Sequence, residues 1–193
     1  MNTISLELAR KKSKWTEEDF IREILLDAGC SYLNWSSLDP NKPLTDLGST
    51  ILHLLTLNPY HYDLSISNDL IAYVLTHKDI NVNVQDKYGR TALTNFIYCP
   101  GVWQNHLEHG ISGLKLLLET GSDPNILFTP QFVHLARCEK WPLIHHCYNA
   151  HKLFSVYPLP EEMINILEQY WDKDILDSGG RKYNEVKDRY NIQ

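Results

Sequence analysis

The chain has 193 residues, of which 43% are hydrophobic, 22% charged and 11% aromatic. That is enough apolar material for one buried core and too much for wholesale disorder. A net charge of −6 argues against a dedicated nucleic-acid binder, whose affinity rests on neutralising phosphates.

A mean hydropathy of −0.33 and the lack of any apolar run of about 18 residues leave no candidate membrane span. Arg10, Lys11, Lys12 and Lys14 are not followed directly by an apolar stretch, so no secretory signal is expected. The four cysteines, Cys30, Cys99, Cys138 and Cys147, have no CxxC spacing. In a chain of this size that pattern suggests reduced thiols and a cytoplasmic location.

The first predicted elements are an inner helix over 4–12 and a second helix opened by Thr16-Glu-Glu-Asp19, a capping box with Asp19 in the usual Glu place. Phe20, Ile21, Ile24 and Leu25 form the apolar side of this second helix, which is expected to stop near Gly29. Further on, Gly48-Ser-Thr50-Ile-Leu52-His53-Leu-Leu55 matches Gly89-Arg-Thr91-Ala-Leu93-Thr94-Asn-Phe96 at an offset of 41 residues, from Thr50 to Thr91. Likewise Leu75 to Asn83 matches Leu117 to Asn125 at an offset of 42. A weaker copy, Gln131 to Ala136, sets His134 at an offset of 40 from Thr94. Near-constant spacing of this kind marks a repeat architecture.

Punctuation defines each unit. The run Leu114 to Glu119 predicts a helix that stops at Gly121, after which Asp123-Pro124-Asn125 turns the chain. Asp86-Lys-Tyr-Gly89 predicts a second turn, with Gly89 free to take positive φ. Thr91 then caps a helix whose apolar side is Ala92, Leu93 and Phe96. Near the C-terminus, Glu161 to Trp171 predicts an outer helix, and Ser178-Gly-Gly-Arg181 echoes the earlier turn. The mostly polar stretch 182–193 suits a cap with a wet outer face.

Asn81 to Leu93 together with Leu116 to Asn125 resembles the ankyrin repeat, whose pattern runs D-x-x-G-x-T-P-L-H and later L-L-x-x-G-A-D-x-N. Ala92 and Thr94 replace the family's Pro and His, whereas His53 and His134 keep the His position. The family period is about 33 residues, so the longer spacing implies insertions between inner and outer helices. These fall around 59–65, 99–110 and 140–160.

The fold expectation is therefore all-α: an ankyrin-like helix-turn-helix solenoid with enlarged loops between inner and outer helices. It forms a single domain over 1–193. Within it, 1–40 is a degenerate first unit, 41–82 and 83–125 are repeats, 126–173 is a degenerate repeat with a long insertion, and 174–193 is a cap.

The densest set of reactive side chains is His134, Cys138, His145, His146, Cys147 and His151. Thiolate and imidazole are zinc's preferred ligands, and Cys147 beside a histidine is also a nucleophile pattern. No recognised zinc frame or protease signature completes either reading. With no glycine-rich phosphate loop present, the expectation is no cofactor and no catalytic residue; a zinc-dependent or thiol enzyme at 134–151 is the alternative.

What the resemblance implies is protein recognition by an inhibitor, adaptor, or microbial or viral effector acting in the host cytosol. A surface imitating nucleic acid gains little from so modest a charge. The expected contacts with a protein partner are Asp86, Lys87, Tyr88 and Arg90 from the projecting turn, Asn95 from the inner helix and Trp103 from the second insertion. Aromatic and arginine side chains dominate such hot spots. Neither a membrane nor a nucleic acid is an expected partner, and oligomeric state leaves no trace in the sequence.

Overall fold

The computed structural model describes residues 16–27, 37–57, 64–98, 106–129, 143 and 159–182. Among these it is all-α, with six helices and no strand beyond an isolated bridge at Phe128. The helices are α1 (Glu17–Asp27), α2 (Ile51–Leu57), α3 (Leu64–Leu75), α4 (Ala92–Tyr98), α5 (Leu107–Glu119) and α6 (Glu161–Leu167). No helix among the described residues is long and apolar enough to cross a membrane.

Two helix starts carry side-chain caps that the sequence supplies, at Thr16 and Thr91, whereas His106 and Pro160 open α5 and α6 without one. Thr16 and Asp19 cap α1 reciprocally: the Thr16 amide and hydroxyl donate to Asp19 Oδ2 at 3.0 and 2.9 Å, and the Asp19 amide donates back to Thr16 Oγ1 at 3.3 Å. These bonds stabilise the carboxylate and hold Asp19 below its ordinary pKa. Thr91 caps α4 one way only, its hydroxyl accepting the Thr94 amide at 3.3 Å.

Helix packing follows the apolar spacing. α2 lies against α4, while α1, α3, α5 and α6 form a second row in which each touches the next; α1–α2, α2–α3 and α4–α5 contacts join the rows. Ile21, Ile24 and Leu25 of α1, Ile51 and Leu52 of α2, and Leu70, Ile71 and Val74 of α3 fill one continuous core. Leu93 and Phe96 of α4, Leu114 and Leu117 of α5, and Met163 and Leu167 of α6 extend it. No helix of 7–13 residues hides its apolar stripe alone, so burial comes from its neighbours.

The second row is bound together by three asparagines. Asn41 Nδ2 donates to the Asp79 carbonyl and its Oδ1 accepts the Asn81 amide, both at 2.7 Å. Asn83 does the same to Gly121 and Asp123 at 2.9 and 2.8 Å, and Asn125 to Tyr170 and Asp172 at 3.2 and 2.9 Å. The three stand 42 residues apart. Preceding each, Asp39, Asn81 and Asp123 accept the amide two residues on, an Asx turn that presents the asparagine at the next loop. Asp174 follows Asp172 in the same turn, but it is held by Lys182 Nζ at 2.8 Å.

Two helices differ from the expected spans. α5 begins at Leu107, seven residues before the predicted Leu114, so part of the second insertion continues the helix. Gly113 allows this, because a Cβ there would sit 2.6 Å from Asn68 Oδ1 and 2.7 Å from the Phe96 ring. Helix α6 ends at Leu167, short of Trp171. Its last turn tightens through bonds from Gln169 to Ile166 and Tyr170 to Leu167, which bring the Tyr170 carbonyl and Asp172 amide to Asn125.

Candidate functional site

The predicted turn over 86–90 is built around one carboxylate. Asp86 Oδ1 accepts the amides of Tyr88 and Arg90 at 2.9 Å, and Oδ2 takes the Arg90 guanidinium at 2.6 Å from Nη2 and 2.7 Å from Nε. Asp86 and Arg90 also close the backbone, amide to carbonyl at 2.9 Å. Gly89 supplies the reversal with φ +76°. An alanine Cβ there would meet the Leu127 carbonyl at 3.1 Å, besides forcing a left-handed conformation.

The same device recurs at Asp177. Its carboxylate takes the Gly179 and Arg181 amides and the Arg181 Nε at 2.7–3.0 Å, with Gly180 at φ +74°. Ahead of both, Thr45 plays the acidic residue's part through its hydroxyl, which accepts the Ser49 amide at 3.2 Å, with Gly48 at φ +85°.

Successive turns are bonded to one another. The Lys87 amide donates to the Leu47 carbonyl and the Thr129 amide to the Tyr88 carbonyl, each at 2.9 Å. The two acceptors, Leu47 and Tyr88, thus hold equivalent places 41 residues apart. Leu47 and Tyr88 are 45% and 40% exposed, two of the few large hydrophobic side chains left in water among the described residues. The Tyr88 ring lies over the Arg90 guanidinium at 5.1 Å from its centroid, which fixes the ring.

Behind this edge stands His53, buried to 1%. Its Nδ1 accepts the Thr50 amide at 3.3 Å, so the ring proton sits on Nε2, which donates to the Arg90 carbonyl at 2.9 Å; the Thr50 hydroxyl also meets Nδ1 at 2.8 Å. Burial holds its pKa below the ordinary histidine value; the Arg90 carbonyl and Asp86 pull the other way. One unit on, Thr94 occupies the equivalent position and reaches only its own cap, Thr91, at 3.2 Å.

The predicted contact residues divide. Lys87 and Tyr88 lie on the exposed edge, whereas Asp86, Arg90 and Asn95 are at 6%, 7% and 0% exposure. Asp86 and Arg90 spend their polar atoms on each other and on the turn, so they shape the edge without presenting themselves. Both polar atoms of the Asn95 amide are buried with no partner. Trp103 and the set His134, Cys138, His145, His146, Cys147 and His151 lie outside the described residues. Among the described residues no group of three or more His, Cys, Asp or Glu side chains could hold a metal.

Sequence reasoning passed over Leu47, although the offset of 41 that aligned Thr50 with Thr91 also aligns Leu47 with Tyr88. It also missed the asparagine ladder, for which Asp39-Pro40-Asn41 and Asp123-Pro124-Asn125 were the visible signal. No protein-family model matches the chain, and no curated protein matches it either.

Proposed function

We propose that the chain is a non-enzymatic protein–protein interaction module, an ankyrin-like solenoid that binds a protein partner through its row of turns. The observation that supports this best is the exposure of Leu47 and Tyr88 at equivalent positions of two turns bonded backbone to backbone. Rigid neighbouring turns lose little entropy on binding, so a modest apolar contact becomes useful affinity. Lys87 borders the stripe, and its Cγ would lie 3.7 Å from a Cβ at Gly48, close over the preceding turn. Such a module acts by occupying its partner, as an inhibitor, adaptor or delivered effector does.

The test is affinity capture with the immobilised chain, comparing wild type with a Leu47→Ala/Tyr88→Ala double variant of unchanged melting temperature. The proposal expects a stoichiometric protein partner for the wild type and at least tenfold weaker capture by the variant, as loss of an aromatic hot spot implies. Equal capture by both would move the binding face elsewhere. Absence of a stoichiometric protein partner would defeat the module reading.

A further inference from the structure

We propose that the turn over 45–49 receives a side-chain carboxylate from the protein partner, which bonds the Leu47 amide beside Lys87. This rests on the reading above and names the chemistry that the partner brings to that edge.

Three turns share one backbone plan, with Gly48, Gly89 and Gly180 at positive φ, and only two of them enclose an acid. Asp86 Oδ1 takes the amides two and four residues on, those of Tyr88 and Arg90, each at 2.9 Å. Asp177 Oδ1 takes those of Gly179 and Arg181 at 2.8 and 3.0 Å. In both, the arginine four residues after the aspartate neutralises it. At the first turn Thr45 and Ser49 stand in those two places. The Thr45 hydroxyl accepts the Ser49 amide at 3.2 Å, and its carbonyl accepts that of Gly48 at 2.9 Å. The Leu47 amide, counterpart of those of Tyr88 and Gly179, has no hydrogen-bond partner among the described residues. A backbone donor is seldom left unpaired away from water. With Leu47 45% exposed, this one is open to an acceptor from outside.

A cation lies over the same turn. A Cβ on Gly48 would sit 3.4 Å from the Lys87 amide nitrogen and 3.7 Å from Lys87 Cγ, so the lysine stem starts across it. Lys87 is exposed and forms no ion pair among the described residues. Its ammonium and the Leu47 amide therefore offer one positive charge and one donor beside an exposed leucine. That set suits an aspartate or glutamate next to an apolar residue. Asp46 is exposed in the same turn, and its charge opposes a doubly charged group such as phosphate.

Backbone NMR of the full chain, titrated at constant ionic strength with acetyl-Leu-Asp-amide and with acetyl-Leu-Asn-amide, tests this. The Leu47 amide resonance should shift saturably with the aspartyl peptide, and the asparaginyl peptide should bind about threefold more weakly or worse. Inorganic phosphate should give a smaller response. Thr45→Asp fills the site from within, as Asp86 and Asp177 do, and should remove the response. Lys87→Met should reduce aspartyl binding to the asparaginyl level. Should Thr45→Asp fail to fold, the peptide pair and Lys87→Met decide alone. A Leu47 amide that ignores the aspartyl peptide, answers both peptides equally or answers phosphate more strongly overturns the proposal. A folded Thr45→Asp variant, or a Lys87→Met variant, that responds like wild type overturns it equally. No captured partner is needed, so failure here and failure of the module reading are separable.

Discussion

Asn83 holds Asp123 across 40 positions of sequence: its Oδ1 accepts the Asp123 amide at 2.8 Å while its Nδ2 donates to the Gly121 carbonyl at 2.9 Å. The amide serves as a donor–acceptor clip that only asparagine provides at this length. Neighbouring loops are therefore tied by paired polar bonds as well as by apolar packing. Along the chain the clip repeats while the intervening residues change, so the loop geometry, not the helix sequence, carries the repeat.

The two aspartate-centred turns differ in burial, and their variants should differ accordingly. The Asp86 and Arg90 side chains are 0% and 9% exposed, whereas Arg181, paired with the buried Asp177, keeps 31%. Asp86→Asn retains an acceptor for the Tyr88 and Arg90 amides but strands a buried guanidinium. Urea denaturation should show a loss of about 3 kcal/mol for Asp86→Asn and about half that for Asp177→Asn, where water can solvate the arginine.

Asn95 offers the opposite test. Both of its polar atoms are buried and unpartnered, a cost with no hydrogen bond to offset it. Asn95→Leu, similar in volume and apolar, should raise stability by about 1 kcal/mol in the same assay. A loss of stability would mean that the amide has a role that this structure does not show.

How much of this was legible in the sequence follows from what each signal measures. Offsets of 40–42 and the Gly-Thr and Asp-Pro-Asn punctuation are local, and they gave the helix order, the Thr91 cap and the positive φ at Gly89. Burial of Asp86 and Arg90 was not legible, because two charged residues in a polar turn look alike whether they face water or each other. Asn95 misled for a similar reason: a polar residue on a short helix reads as outward-facing, and only its neighbours show otherwise. The early start of α5 depends on Gly113 meeting Phe96 and Asn68, a tertiary contact with no local signature.

Stability should also depend on His53. Its folded pKa lies below the ordinary value of 6.5, chiefly because burial penalises the charged ring, so the unfolded chain takes up this proton first. The contribution is fully present above pH 6.5. It is lost as the pH falls from there toward the folded pKa, at about 1.4 kcal/mol per pH unit at most. With nine histidines in the chain, the informative quantity is the difference between wild type and His53→Gln. Thermal melts between pH 7.5 and 5.0 should show wild type losing its advantage over the variant across that interval; parallel curves would contradict it.

The central claim, that equivalent units are clipped together by equivalent asparagines, is tested most directly by urea denaturation of Asn41→Ala, Asn83→Ala and Asn125→Ala measured side by side. Each substitution removes one donated and one accepted bond between neighbouring loops, and Asn125 also donates to Asp123 Oδ1 within its own turn at 2.8 Å; each should cost about 1–2 kcal/mol, with Asn41→Ala and Asn83→Ala within about 0.5 kcal/mol of one another and Asn125→Ala no smaller. A loss confined to one position, with the other two neutral, would contradict the account.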